Sequence, residues 1–319
     1  MSRRVQRVNE QLQHHGTTLD EFIALLLKAV IEDCVEELKA DVPGMRVEIS
    51  NGLAINIRIS VPQMWTPLAC RRMLEAARVA GCRLVTLAFE PQCALAYFVE
   101  TLRQDSILET LPLRAGNTLL VVDLGCGTGD FVMYKLKDDL NETSCLDAFS
   151  EGLGALCGSQ IVNERLLPIF EARVTEINGS FQQFCSSLNL NEHAARRQAL
   201  LGIETMKKNF LTQDRHIVHI AAPGYGAATQ DIEFRRFVIL ILSVMTDADC
   251  QTSEEIEDAF DLTLVDIYAQ MDEQIKRQRP DLIVLTGGFT RSDYLFGAIK
   301  NRYVPAGFTV MRPHTVSTE

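Results

Sequence analysis

Several features are scarce in this 319-residue chain, and each absence excludes something. There is no long hydrophobic run. The most apolar stretch, Phe237 to Met245, follows Arg235 and Arg236 and stops after nine residues, whereas a membrane-spanning helix needs about 20. No Cys-x-x-Cys pair occurs among the nine cysteines, which are scattered from Cys34 to Cys250. That pattern fits neither a disulfide framework nor a zinc site, and it suits a reducing compartment. Positive charge is in deficit: 31 basic against 42 acidic residues give a net charge of −11, which disfavours binding to a phosphate backbone. The basic N-terminus (Arg3, Arg4, Arg7) has no apolar core behind it, so it does not read as a secretory signal. A cytoplasmic protein is expected. No repeat of solenoid period is found. What remains, with 47% hydrophobic and 23% charged residues, is ordinary globular composition long enough for two domains or lobes.

Hydrophobic spacing predicts the elements. Residues 1–17 are polar and read as loose. A helix starting at Thr17 or Thr18 and ending near Ala40 follows from apolar residues at Leu19, Phe22, Ile23, Leu26, Leu27, Val30 and Ile31. Met45 to Ser50 and Leu53 to Val61 alternate around Asn51-Gly52, as in a strand pair. Pro67 opens a helix that Gly81 stops, Leu84 to Phe89 read as a strand, and Pro91 opens a helix to about Leu102. Pro112 to Gly116 form a turn-rich break. This divides a first lobe over 18–115 from a second over 116–319, with a helical subdomain at about 154–250 and a closing segment at about 251–319. In the second lobe, strands are expected at Thr118–Val122, Phe131–Lys137, Ser144–Phe149, His216–Ala221 and Leu282–Thr286. Helices are expected at about 158–173, 194–211, 233–245, 254–277 and 291–303.

The sharpest local feature is Leu119-Leu120-Val121-Val122-Asp123-Leu124-Gly125-Cys126-Gly127-Thr128-Gly129-Asp130. An apolar strand ends in a carboxylate, and alternating glycines then let backbone N–H groups approach a ligand with no Cβ in the way. The string resembles the first motif of S-adenosylmethionine-dependent methyltransferases. It also resembles the second phosphate loop of the actin-like ATPases, especially the seventy-kilodalton heat-shock chaperones. A methyltransferase would continue the loop into a helix. Here Phe131 to Lys137 is strand-like, and strand–loop–strand is the phosphate-hairpin geometry.

Further segments extend the chaperone resemblance in chain order. Ser60-Val61-Pro62-Gln63-Met64-Trp65 and the helix ending in Ala80-Gly81 resemble that family's strand–Pro–helix segment. Phe89-Glu90-Pro91-Gln92-Cys93-Ala94-Leu95-Ala96-Tyr97 resembles its Glu-Pro-x-Ala-Ala-x-Ala-Tyr segment. Gly158-Ser159 resembles the glycine that opens the next subdomain, and Glu204 with Lys207-Lys208 resembles the helix face that clasps adenosine. Ile283-Val284-Leu285-Thr286-Gly287-Gly288-Phe289-Thr290-Arg291 resembles the Gly-Gly-Ser-Thr-Arg adenosine loop. These collinear segments cover about residues 18–303.

The resemblance implies an α/β, actin-like ATPase (ribonuclease H-like) fold that takes ATP or ADP with Mg²⁺, and it assigns roles. The N–H groups of Gly125, Cys126, Gly127 and Thr128 would hold phosphates, with the Thr128 hydroxyl adding a donor. Asp123 would hold Mg²⁺, directly or through water, and Glu90 would orient the hydrated metal or the attacking water. Asp130 would support from behind. Gly287 and Gly288 would lie flat against adenosine, with Arg291 stacking on the base, Glu204 on the ribose, and Lys207 and Lys208 flanking it. Read without the family, Glu90 is a helix-start acid, Arg291 a surface arginine, and Glu204 with Lys208 an i,i+4 pair on a solvated helix. The histidines show no metal-ligand spacing.

The chain also departs from the family. No Asp-x-Gly-Thr, the family's first phosphate loop, occurs in the 319 residues. The Lys that assists hydrolysis is not identified, Phe289 stands where Ser is usual, and Cys126 stands where Gly is usual. The first lobe therefore reads as incomplete and the chain as truncated at both ends. Hydrolysis is expected to be weak or absent, and a protein partner is expected to cover the first lobe. Two other classes stay open: a non-catalytic interaction scaffold, and a methyltransferase should a helix follow Gly129.

Overall fold

The computed structural model describes residues 3–41, 56–104, 113–137, 146–148, 152–210 and 251–313. Of the expected strand pair, Met45 to Ser50 lies outside these residues, as do the strand at 216–221 and the helix at 233–245, while Leu53 to Val61 is described from Asn56 onward and is a strand. The chain is mixed α/β and divides into two compact units, Met1–Cys93 and Ala94–Glu319.

In the first unit, α1 (Arg3–His14) is followed by α2 (Leu19–Asp41). The segment read as loose is thus mostly helix: Val8 and Leu12 lie four positions apart and supply a thin apolar stripe. At the start of α2, the Thr18 hydroxyl accepts from the Glu21 N–H at 3.3 Å, and the Glu21 carboxylate accepts from the Thr18 N–H at 2.8 Å. This reciprocal cap ties off two backbone donors that a helix start leaves open. Next come β1 (Asn56–Val61), α3 (Pro67–Val79) and β2 (Leu84–Phe89). Thr66 caps α3 by accepting from the Ala69 N–H at 3.2 Å, with Pro67 in the first turn. β1 and β2 pair in parallel, Asn56 opposite Leu84 through Val61 opposite Phe89. Ile57, Ile59 and Val85 pack with Leu27 and Ile31 of α2 against Ala77, Ala80 and Cys82.

The second unit is built on a sheet of strand order β5-β4-β3-β7-β8, with β6 also pairing with β4. The strands are β3 (Thr118–Leu124), β4 (Gly129–Leu136), β5 (Leu146–Ala148), β6 (Leu153–Ala155), β7 (Leu282–Thr286) and β8 (Val310–Met311). β3 and β4 form an antiparallel hairpin, while β3–β7 and β7–β8 are parallel. Both faces of this sheet are covered. On one lie Leu95, Phe98, Val99 and Leu102 of α4 (Glu90–Gln104), against Leu119, Val121, Val132, Tyr134, Leu282 and Val284. On the other, Leu120, Val122, Leu124, Phe131, Met133, Ile283 and Leu285 pack against α5 (Gln160–Asn178), α7 (Glu192–Asn209), α8 (Gln251–Arg277) and α9 (Asp293–Tyr303). Burial on both sides is why β3 and β7 read as continuous apolar runs rather than alternating ones. A short helix, α6 (Phe181–Ser187), buries Phe184 and Cys185 against α5 and α7. Among the described residues no helix is long and apolar enough to cross a membrane.

Candidate functional site

The site is assembled from the C-terminal ends of two neighbouring parallel strands. Asp123 of β3 stands beside Thr286 of β7, and each strand runs straight into a glycine loop. In open α/β sheets, ligands gather at this end, where strands hand over to loops and helices. The hairpin turn between β3 and β4 is closed by a hydrogen bond from the Gly125 N–H to the Thr128 carbonyl at 2.9 Å. That commits the Gly125 N–H, which the family resemblance assigns to a phosphate. Cys126 and Gly127 form the exposed tip, and Thr128 is half-buried.

Two other glycines bind this loop into one object. Gly158 is buried with its Cα against the loop backbone; a Cβ there would collide with the Cys126 carbonyl and come within 2.6 Å of the Gly127 nitrogen. The Ser159 N–H donates to the Gly125 carbonyl at 3.1 Å and the Gln160 N–H to the Cys126 carbonyl at 2.8 Å. The first N–H groups of α5 are thereby spent on holding the loop. Gly287 has φ +87, and a Cβ there would meet Asp123 Oδ1 at 2.5 Å and collide with the Leu124 carbonyl. Both the left-handed backbone and the lack of space call for glycine. Gly288, where an added Cβ would meet nothing within 4 Å, is exposed, as is Arg291 at the end of the short 3₁₀ turn Gly288–Arg291. The helix expected from Arg291 begins at Asp293 instead, because Ser292 caps it, its hydroxyl accepting from the Leu295 N–H at 3.4 Å.

Charge at the site is concentrated in a few groups. Asp123 and Asp130 are directly opposite each other in the hairpin; Asp130 is buried and Asp123 half-buried. Facing residues of an antiparallel pair lie on one face of the sheet, so two carboxylates share the mouth of the hairpin. Lys207 of α7 is buried. Its Nζ donates to the Ser159 carbonyl at 3.0 Å and to Glu204 Oε1 at 2.8 Å. Burial pushes the Lys207 ammonium down, against the pull of Glu204. Burial would also raise the Glu204 carboxyl, but hydrogen bonds from Asn163 and Lys207 outweigh it and hold the group below its ordinary value. Lys208 is exposed. Among the described residues no group of three or more His, Cys, Asp or Glu side chains is arranged to hold a metal ion.

The structure therefore gathers Asp123, Gly125 to Thr128, Gly158, Gly287 and Gly288 around one strand end, with Glu204 and Lys207 joined to it through Ser159. Glu90 belongs to the Met1–Cys93 unit, and burial raises its carboxyl. Two partners escaped the sequence reading. Gln160 Oε1 lies 3.7 Å from Cys126 Sγ. Asn163, buried in α5, donates to Glu204 Oε1 at 2.6 Å; an amide amid the apolar spacing of that helix was the available signal. Phe289 is also explained. It is buried and stacks on Phe260 with centroids 5.8 Å apart, so its side chain belongs to the core.

Comparison with known protein families returns no match, and comparison with curated proteins returns none either.

Proposed function

We propose that this protein binds ATP or ADP with Mg²⁺ at the end of β3 and β7, as a divergent, chaperone-like member of the actin-like ATPases. The observation that carries the reading is the convergence, in the expected chain order, of three glycine loops: 125–128, 158–159 and 287–288. Gly158 and Gly287 each lie too close to the β3–β4 turn and its approach to admit a Cβ. A strand, β4, follows Gly129, which is the phosphate-hairpin geometry and lacks the helix that a methyltransferase would need.

In this reading the exposed Cys126–Gly127 peptides and the Thr128 N–H and hydroxyl face the β- and γ-phosphates. Asp123 is the hard carboxylate for Mg²⁺. One carboxylate suffices, because Mg²⁺ in nucleotide sites keeps waters and takes the remaining oxygens from the phosphates. Bound Mg²⁺ would neutralise charge on the transferring phosphoryl group. Gly288 and Arg291 serve the adenosine and Glu204 the ribose. Slow or absent turnover is proposed, since no Asp-x-Gly-Thr loop occurs in the 319 residues to oppose this one.

The test uses the exposed thiol at the loop tip. Mg-ADP is expected to raise the melting temperature, by the equivalent of about 2.7 kcal/mol at 100 times its Kd. It is also expected to slow peptide-resolved alkylation of Cys126 while leaving the exposed Cys34 and Cys93 unchanged. Stabilisation by S-adenosylmethionine alone would replace the reading with a methyltransferase. No protection by any of these ligands would leave the interaction scaffold.

A further inference from the structure

Lys207 is the only buried cation among the described residues, and its surroundings are specific. Asn163 Nδ2 donates to Glu204 Oε1, Lys207 Nζ donates to that same oxygen, and Lys207 Nζ also donates to the Ser159 carbonyl. The Ser159 N–H donates in turn to the Gly125 carbonyl. A continuous polar line thus runs from Asn163 through Glu204, Lys207 and the Ser159 backbone into the glycine loop. Lys208, by contrast, is exposed. The adjacent lysines of α7 therefore have different surroundings, and only the first is built into the underside of the loop.

We infer that Lys207 is a positioning residue for phosphate binding, supplying the positive charge beneath the 125–128 loop, with Glu204 setting how much of that charge a bound anion feels. This rests on the loop being a phosphate cradle, and it moves Lys207 from the adenosine to the phosphates. The physical argument is electrostatic. A charge enclosed by protein is poorly screened, so an anion at the loop gains from Lys207 and loses from Glu204. A merely structural clasp would give the two residues effects of the same sign; a charge device gives them opposite signs.

Magnesium pyrophosphate separates these cases, because it has neither ribose nor base. Its binding is measured calorimetrically at low salt for the wild-type chain and for Lys207→Met, Lys207→Arg and Glu204→Gln, beside Mg-ADP, with thermal melts confirming that each variant folds. The expected result is a loss of about tenfold in pyrophosphate affinity for Lys207→Met, a gain of several-fold for Glu204→Gln, and near-wild-type affinity for Lys207→Arg. If Lys207→Met does not fold, the sign of the Glu204→Gln change decides alone. Unchanged or jointly weakened pyrophosphate binding in Lys207→Met and Glu204→Gln would overturn the inference while leaving Mg-ADP binding intact as a separate result. Wild-type protein that binds Mg-ADP but not pyrophosphate would also overturn it. Wild-type protein that binds neither would remove the nucleotide-binding reading, and this inference with it.

Discussion

The two units use the same kinds of element, parallel strands and apolar helices, but cover them differently. In the second unit, Leu119 to Val122 and Ile283 to Leu285 are wholly buried between helices on both sides of the sheet. In the first, the β1–β2 pair turns Asn56, Arg58, Ser60 and Leu84 to solvent, and α2 leaves Phe22, Leu25, Leu26 and Val30 about half exposed or more. The converging glycine loops belong to the doubly covered sheet. That is where they can be held, because placing several loops to within a fraction of an ångström needs a support whose own side chains cannot move.

The largest expected effect tests this contrast in packing. Phe131→Ala, at a wholly buried position of β4, should cost about 3–5 kcal/mol in urea unfolding. Phe22→Ser, on the exposed face of α2, should stay within about 0.5 kcal/mol. Equal effects would erase the difference between the units. Next is the contrast between the paired glycines. Gly287→Ala meets both a left-handed backbone and the Asp123–Leu124 segment; it should lower stability by about 1–3 kcal/mol and abolish the Mg-ADP shift in melting temperature. Gly288→Ala has open space and should melt like the wild type.

Smaller effects belong to the first unit. Arg72 Nε donates to both Asp20 carboxylate oxygens, at 2.9 and 3.1 Å, but the pair is exposed. Asp20→Asn should therefore cost about 0.2–1 kcal/mol, and less in high salt. The last prediction is a pH slope. Burial raises the Glu90 carboxyl above 4.5, so the folded state holds that proton more tightly than the unfolded chain. Its contribution to stability is present below pH 4.5 and is lost as pH rises through the folded-state value. Glu90→Gln should match the wild type in acid and be slightly more stable at neutral pH; denaturant midpoints across pH 4–8 would show it, and a less stable variant at pH 7 would contradict it.

Much of the fold was legible in the residues because its signals are local. Thr18 with Glu21, and Thr66 with Pro67, announce helix starts through chemistry within one turn. The β3–loop–β4 hairpin was legible because the residues after the three alternating glycines, Phe131 to Lys137, have the spacing of a strand rather than of a helix. α6 and β6 were missed because seven and three residues carry too little periodicity to stand out. α1 was missed because its apolar stripe is thin.

The candidate site divides the same way. Residue order alone specifies that a carboxylate at a strand end is followed by a glycine loop, and that a second strand ends in Gly287-Gly288. Packing in three dimensions brings these loops into contact, puts Gly158 under Cys126, spends the Gly125 N–H and assigns Phe289 to the core. It also decided that Lys207 is buried while Lys208 is exposed. The physical reason is range. Local pattern specifies backbone conformation and which face of an element is apolar, whereas a side chain's partner is set by whichever distant segment packs against it, and Lys207 and Ser159 stand 48 positions apart in the chain.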